Sequence, residues 1–326
     1  LINNKNKIAQ LIVSAREINK FHGTFLSSIM KYQVNGRIHG EINQLRGDNG
    51  GTVSGRLSMS NPNLQQVPAR NKDFGPKIRS LFIPEEGYKW GSFDYSQQEP
   101  RMTVHYAASI GEGYEGSNEL VQAYQNSQAD FHQTVADLVG IERTQAKTIG
   151  LGLMYGMGKQ KLAISLGVSK DEANELIIKY NKKVPFVKKL SDRCKYAADE
   201  KGVIRTKKGR KCRFDMWETR DFGLHVAEKY EDAVAKYGKD NIKRAFTYKA
   251  LNRLIQGSSA DQTKQSMLDC YEDGHLPILQ IHDELCFNVK DEKHAKQIQK
   301  KMQNAIQFKV PSVVEYGLGE SWGDAK

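Results

Sequence analysis

Gln280-Ile281-His282-Asp283-Glu284-Leu285 sets a histidine and two acids between two apolar runs, 278–281 and 285–289. Each run has the length and character of a strand, so the stretch reads as a hairpin with His282 and Asp283 at its turn. Far upstream, Ser92-Phe93-Asp94-Tyr95-Ser96-Gln97-Gln98-Glu99 repeats the arrangement. Residues 88–94 alternate as a strand does, and Asp94 stands at its end. A single aspartate at a strand end is commonly a turn or capping residue. Two of them, each leaving a rigid strand, form the hard-oxygen pair that Mg²⁺ takes. Two such ions, ~3.5–4 Å apart, suit an in-line phosphoryl displacement. Asp94 and Asp283 are therefore the expected metal pair. Glu284 is a secondary acid, because alternation along its strand aims it away from Asp283.

Composition agrees with a phosphate-bearing partner. Among 326 residues, 49 Lys and Arg outnumber 38 Asp and Glu, a formal net charge of +11. Such a balance favours nucleic acid, although a generic basic protein has the same signature. The four cysteines show no CxxC pair, which fits a reducing compartment: the cytoplasm of a bacterium or virus-infected cell, or an organelle. No apolar run reaches the ~18–20 residues that span a bilayer, so no membrane partner is expected. The chain starts at Leu1, which reads as a fragment.

Between the acidic runs the pattern is helical. Arg143, Lys147, Leu151 and Tyr155 recur every four residues and form a slowly turning stripe on one helix from about 142 to 156. Two cations, an apolar residue and an aromatic, in that order, can follow a nucleotide from triphosphate to base. The competing reading is a solvated basic edge with Leu151 and Tyr155 in a core. Gly150, Gly152, Gly156 and Gly158 weaken a helix, so close approach by another stretch of chain is expected there.

Other helices are expected at 8–30, at 99–108 with Pro100 in its first turn, at 130–139, across 144–180 with Ser169 and Glu172 as a capping box, at 248–273 and at 293–308. The charged stretch 218–244 also reads as helix-prone. Residues 35–63, with Gly47-Asp48-Asn49-Gly50-Gly51, read as loops and short strands. The polar segment from Thr52 to Pro68 carries Arg56, Asn63 and Gln65, side chains suited to DNA contacts, or forms an ordinary turn-rich loop. Strands at both ends framing a helical middle indicate an α+β fold with a helical insertion in a palm-like sheet.

Taken together, Ser54-Gly55-Arg56-Leu57-Ser58 with Pro62-Asn63-Leu64-Gln65, Asp94-Tyr95-Ser96-Gln97-x-Glu99-x-Arg101, Arg143-x3-Lys147-x7-Tyr155-Gly156, Gln256-Gly257-x3-Asp261 and His282-Asp283-Glu284 resemble the signature segments of family A, polymerase I-like DNA polymerases. Gly319-Glu320-Ser321-Trp322 resembles the family's C-terminal ending. The resemblance implies a right-hand architecture: an antiparallel palm sheet, helical fingers and a thumb mostly absent. It divides the chain into a thumb remnant and connection (1–50), palm (51–110), fingers (111–250) and the rest of the palm (251–326). It implies addition of deoxynucleoside triphosphates to a primer 3′-OH with two Mg²⁺ ions, in replication or repair.

At matching positions, Asp94, Asp283 and the Tyr95 carbonyl would bind metal. Arg143, Lys147 and His132 would hold the triphosphate, and Lys147 would protonate the leaving pyrophosphate. Tyr155 would abut the nascent pair and Glu99 would exclude a 2′-hydroxyl, with Gln97 and Leu151 completing the nucleotide set. Arg56 and Gln256 would read minor-groove acceptors, joined at the primer–template by Asn63, Gln65, Asn252 and His282. Any processivity partner is unspecified, and little would wrap the duplex, so short products per binding event are expected.

This chain departs from the family's pattern at several positions. Leu151 replaces a Phe or Tyr, which predicts discrimination against dideoxynucleotides. Gln98 and Pro100 replace apolar residues, and Tyr248 replaces an arginine. The stretch 214–244 is longer than the family's habit. A single-subunit RNA polymerase is the nearest alternative, and Glu99 argues against it. A catalytically dead DNA-binding protein is another, and the intact Asp94, Asp283, Arg143 and Lys147 argue against that.

Overall fold

The 89–95 segment alternates Trp90 and Ser92 with Gly91, Phe93 and Tyr95. All five are buried, while Lys89 and Asp94 are exposed. A strand buried on both faces belongs in the middle of a sheet. In the computed structural model, which describes residues 6–45, 51–68, 71, 73–126, 130–221, 223 and 225–325, Lys89–Tyr95 lies between Glu284–Val289 and Val314–Gly319, with Pro277–Ile281 outermost. All three pairings are antiparallel. The 277–289 hairpin and the 88–94 strand are as expected; the 314–319 strand was not anticipated. The glycine-rich expectation at 47–50 lies outside the described residues.

Two cores clamp this sheet. On one face Phe93 packs edge-on against Phe287 and stacks on Tyr316, beside Leu285, Val289, Ile298 and Met302. On the other Trp90 stacks on Trp322. Full burial of a side chain such as Phe93 stabilises by roughly 1.5–3 kcal/mol. The expected 8–30 helix is continuous in outline, as Lys7–Lys20, a π-helical Phe21–Ser27 and Ser28–Lys31. Its apolar face divides, however: Phe21, Phe25 and Ile29 are buried, whereas Ile8, Leu11, Ile12 and Ile18 are exposed. The late helix spans Glu292–Asn304, ending four residues before the expected limit.

The chain folds as two units: Leu1–Tyr95, Thr263–Ala305 and Val314–Lys326 form the first, Ser96–Gln262 and Ile306–Val313 the second. The second unit is mostly helical, with helices at Gln98–Ala108, Ser117–Asn126, Phe131–Val139, Arg143–Met154, Lys159–Leu166, Lys170–Lys183 and Pro185–Lys201. Phe131, Ile149, Tyr180, Phe186, Leu190 and Leu251 share its core. Ser169 and Glu172 form the expected capping box, and Pro185 opens a helix the sequence reading left out. The helix Ala250–Glu272 matches its expected span to within two residues.

The expectation for 218–244 is corrected. Trp217–Thr219 pairs antiparallel with Ile242–Arg244, and among the described residues between them only Tyr230–Tyr237 is α-helical. Trp217 packs against the Tyr230 ring, 5.0 Å between centroids, and beneath the Arg244 guanidinium at 4.6 Å. Cross-strand aromatic and cation–π packing overrides charge-based helix propensity here. No described helix is long and apolar enough to cross a membrane.

Candidate active site

Register builds the acidic centre of the first unit. Asp94 lies opposite Glu284 on one neighbouring strand and Glu315 on the other. Directly opposed residues share a face, so three carboxylates stand abreast. Asp283 follows in the adjacent turn, where its carbonyl accepts from the Tyr95 N–H at 3.4 Å. Glu284 is therefore the cross-strand neighbour of Asp94, a relation that alternation relative to Asp283 did not reveal. Glu315 was missed altogether; its only signal is register, which needs the last strand to be placed.

The electrostatics follow from this crowding. The Asp94 side chain reaches solvent, yet the surrounding sheet strips part of its hydration. That desolvation, followed by the charges of Asp283, Glu284 and Glu315, pushes its carboxyl up to about 7. Burial also raises Asp283, opposed by its own backbone N–H, Arg56 and His282. Tyr95 turns its ring to the opposite face, where its hydroxyl bonds Ser266 Oγ and donates to the Met302 carbonyl, both at 2.5 Å. Only its backbone remains on offer beside Asp94.

The segment expected to touch DNA is partly committed to the fold. Asn63 Oδ1 accepts from the Gln65 N–H and caps a short 3₁₀ turn. Gln65 donates its amide to Gln280 Oε1 at 2.9 Å, and Gln280 donates to the His282 carbonyl at 2.8 Å. His282 holds φ +56 in this turn, and its side chain is exposed.

The second unit carries the nucleotide-type residues. Arg143 is the first residue of its helix, Lys147 and Leu151 follow on it, and Tyr155 is its C-cap. Arg143 and Lys147 are exposed, and Leu151 is half-buried against the core. Arg143 donates through Nε (2.8 Å) and Nη2 (2.6 Å) to Asp130 Oδ2. Asp130 also caps the 131–139 helix by accepting from the His132 and Gln133 N–H groups. Burial pulls the Asp130 carboxyl upward, but the Arg143 and backbone bonds win and hold it below its ordinary range. His132 is buried, and that burial lowers it to about 4; Asp130 opposes the shift while Lys147 and Arg143 reinforce it. Its neutral ring leaves Nδ1 without a hydrogen-bond partner. Asp130 was not singled out in the sequence, although a capping Asp ahead of His132 was there to read.

Tyr155 donates its hydroxyl to Glu99 Oε2 at 2.5 Å, so the expected sugar selector and base-abutting ring form one hydrogen-bonded pair. Behind Glu99, Gln98 is buried and donates to Gln262 Oε1, which accommodates the departure from an apolar residue. Gln97 adopts φ +53, and its Oε1 accepts from the Phe131 N–H at 2.9 Å. That bond anchors the start of the helix carrying His132. The close approach expected at the helix glycines holds at some of them and not at Gly158, where a Cβ would meet nothing within 4 Å: a Cβ at Gly150 would lie 3.2 Å from the Tyr180 hydroxyl. Gly156, at φ +70, meets Tyr248 at 3.1 Å. Asn252 and Gln256 are half-buried, four residues apart on one helix face.

Residues 1–324 match the family model described as DNA polymerase family A, and the chain belongs to that family. It is 38% identical to a DNA-directed DNA polymerase of Pseudomonas phage M6 over 97% of this chain and 51% of that protein. It is 35% identical to DNA polymerase I of Synechocystis over 98% of this chain and 32% of that protein. Among solved structures it resembles the POL domain of Pol1 from M. smegmatis, in complex with DNA primer-template and dNTP. The TM-score is 0.78 at 27% identity, covering 97% of this chain and 53% of that one. The chain thus spans about half the length, or less, of these relatives.

Proposed function

We propose that the chain is a template-directed DNA polymerase that adds deoxynucleoside triphosphates to a primer 3′-OH and releases pyrophosphate, in replication or repair. The observation carrying this reading is Asp94 abreast of Glu284 and Glu315 with Asp283 in the next turn. Desolvation, joined by repulsion from Asp283, Glu284 and Glu315, lifts the Asp94 carboxyl to about 7 and marks a site suited to added positive charge. The donors are hard oxygens, as Mg²⁺ prefers. Among the described residues no group of three or more His, Cys, Asp or Glu side chains is placed to hold a metal ion; the reading calls on two carboxylates, with substrate phosphates and water as the remaining ligands. When bound, a pair of such ions stabilises charge on the attacking and leaving oxygens.

In this reading Asp94, Asp283 and the Tyr95 carbonyl hold the ions, and Glu284 and Glu315 add negative field. Arg143 and Lys147 bind the triphosphate, and Lys147 gives its proton to the pyrophosphate. Neutral His132 donates a hydrogen bond to the same phosphates. Glu99, fixed by Tyr155, blocks a 2′-hydroxyl, while Leu151 and Tyr155 line the sugar and base. Arg56, Asn63, Asn252, Gln256 and His282 meet the primer–template. Gln65 and Gln97, whose amides bond within the fold, serve by positioning. Palm at 51–110 and 251–326, fingers at 111–250 and a thumb connection at 1–50 belong to the same proposal. The test is primer extension with Mg²⁺ and each deoxynucleotide in turn. Only the template's complement should be added, and chelation should stop it; template-independent or metal-independent addition sinks the reading.

A further inference from the structure

The turn that carries Asp283 is held from behind by two amides. Gln280 is 4% exposed. Its Nε2 donates to the His282 carbonyl at 2.8 Å, and its Oε1 accepts from Gln65 Nε2 at 2.9 Å. Gln65 Nε2 also lies 3.4 Å from the carbonyls of Leu57 and Gln280. The sense of this chain is forced. A carbonyl only accepts, so Gln280 must turn its NH₂ to His282 and its oxygen to Gln65, and Gln65 must donate. The bonded carbonyl belongs to the peptide joining His282 to Asp283. His282, which leads into that peptide, sits at φ +56, a region a non-glycine residue rarely occupies without support. Asp283 leaves the chain at the far end of that peptide, so the start of its side chain is set by the plane that Gln280 holds.

We propose that Gln65 and Gln280 are positioning residues that orient Asp283 for metal, acting in series from the segment that carries Arg56. This rests on the reading of Asp283 as a metal ligand. Partners that orient a ligand typically govern metal affinity by about 10–100-fold, and two residues acting through one bond are non-additive.

The experiment measures Mn²⁺ binding to the purified chain, without DNA or nucleotide, by electron paramagnetic resonance of the free ion. Gln280→Leu and Gln65→Leu should each weaken Mn²⁺ binding by about 10–100-fold, and the double variant should be no worse than the weaker single. A merely structural role would lower the melting temperature while leaving Mn²⁺ affinity at the wild-type value, which overturns the proposal, as would additive losses. Should Gln280→Leu not fold, Gln65→Glu serves. A carboxylate cannot donate, so Gln280 must flip and present its oxygen to the His282 carbonyl. Added negative charge alone would tighten Mn²⁺ binding, so weakening supports the proposal and tightening contradicts it. Asp283→Asn separates the two levels. If it binds Mn²⁺ like wild type, the ligand reading itself fails; if it loses Mn²⁺ while the glutamine variants keep it, only the positioning role fails.

Discussion

Asp94 gives the sharpest single-residue prediction. Its carboxyl stands at about 7 in the fold against an ordinary 3.8. A raised acid favours the protonated form, so its ionisation costs the folded state more as pH rises from about 4 to about 7. Asp94→Asn removes that cost. Without divalent metal the variant should melt above wild type at pH 8, with the gap closing towards pH 4; a gap that widens on acidification contradicts the assignment. Glu99 gives a second. Glu99→Ala removes both the bulk expected beneath the sugar and the acceptor of the Tyr155 hydroxyl. Ribonucleotide incorporation should rise relative to deoxynucleotide, read as a ratio of kcat/KM; an unchanged ratio counts against the selector role. Asp94, Arg143 and Lys147 were legible because each sits on a periodic element, and Asp283 because it lies in the turn between two apolar strands. The Arg143–Asp130 pair was not, because it joins residues on two helices that only folding brings together.

At the scale of elements, the hairpin and the central strand could be read from alternation, but pairing could not. Alternation sets which face a residue occupies, not which residue stands opposite. That gap hid Glu315 and left the pairing of Glu284 with Asp94 unread. The 217–244 region failed for a related reason: its helix-forming charges are local, while the Trp217 contacts that decide it are not. The end of the central strand is fixed by Tyr95, whose hydroxyl joins Ser266 and the Met302 carbonyl. Tyr95→Phe leaves buried polar groups without that partner. It should lower stability by about 1–3 kcal/mol in urea denaturation; no measurable loss would show that these bonds do not anchor the strand.

For the whole molecule, the net charge of +11 foresees counterion release on DNA. Log affinity for primer–template should fall linearly with log salt, by about 0.9 for each phosphate neutralised; a flat dependence contradicts a phosphate-driven interface. The α+β class and its order of segments were legible because the motifs lie in sequence on recognisable strands and helices. The bounds of the two units depend on contacts that form only on folding, since the first is assembled from three separated stretches and the second from two. In the proposed reading the Asp94 and Asp283 carboxylates serve nucleotide addition rather than the holding of DNA. Single-turnover addition of one complementary deoxynucleotide, measured with wild type and Asp94→Asn on the same primer–template, tests it most directly. Asp94→Asn should bind the primer–template as wild type does but add no nucleotide; addition by the variant at the wild-type rate would rule out a role for Asp94 in the reaction.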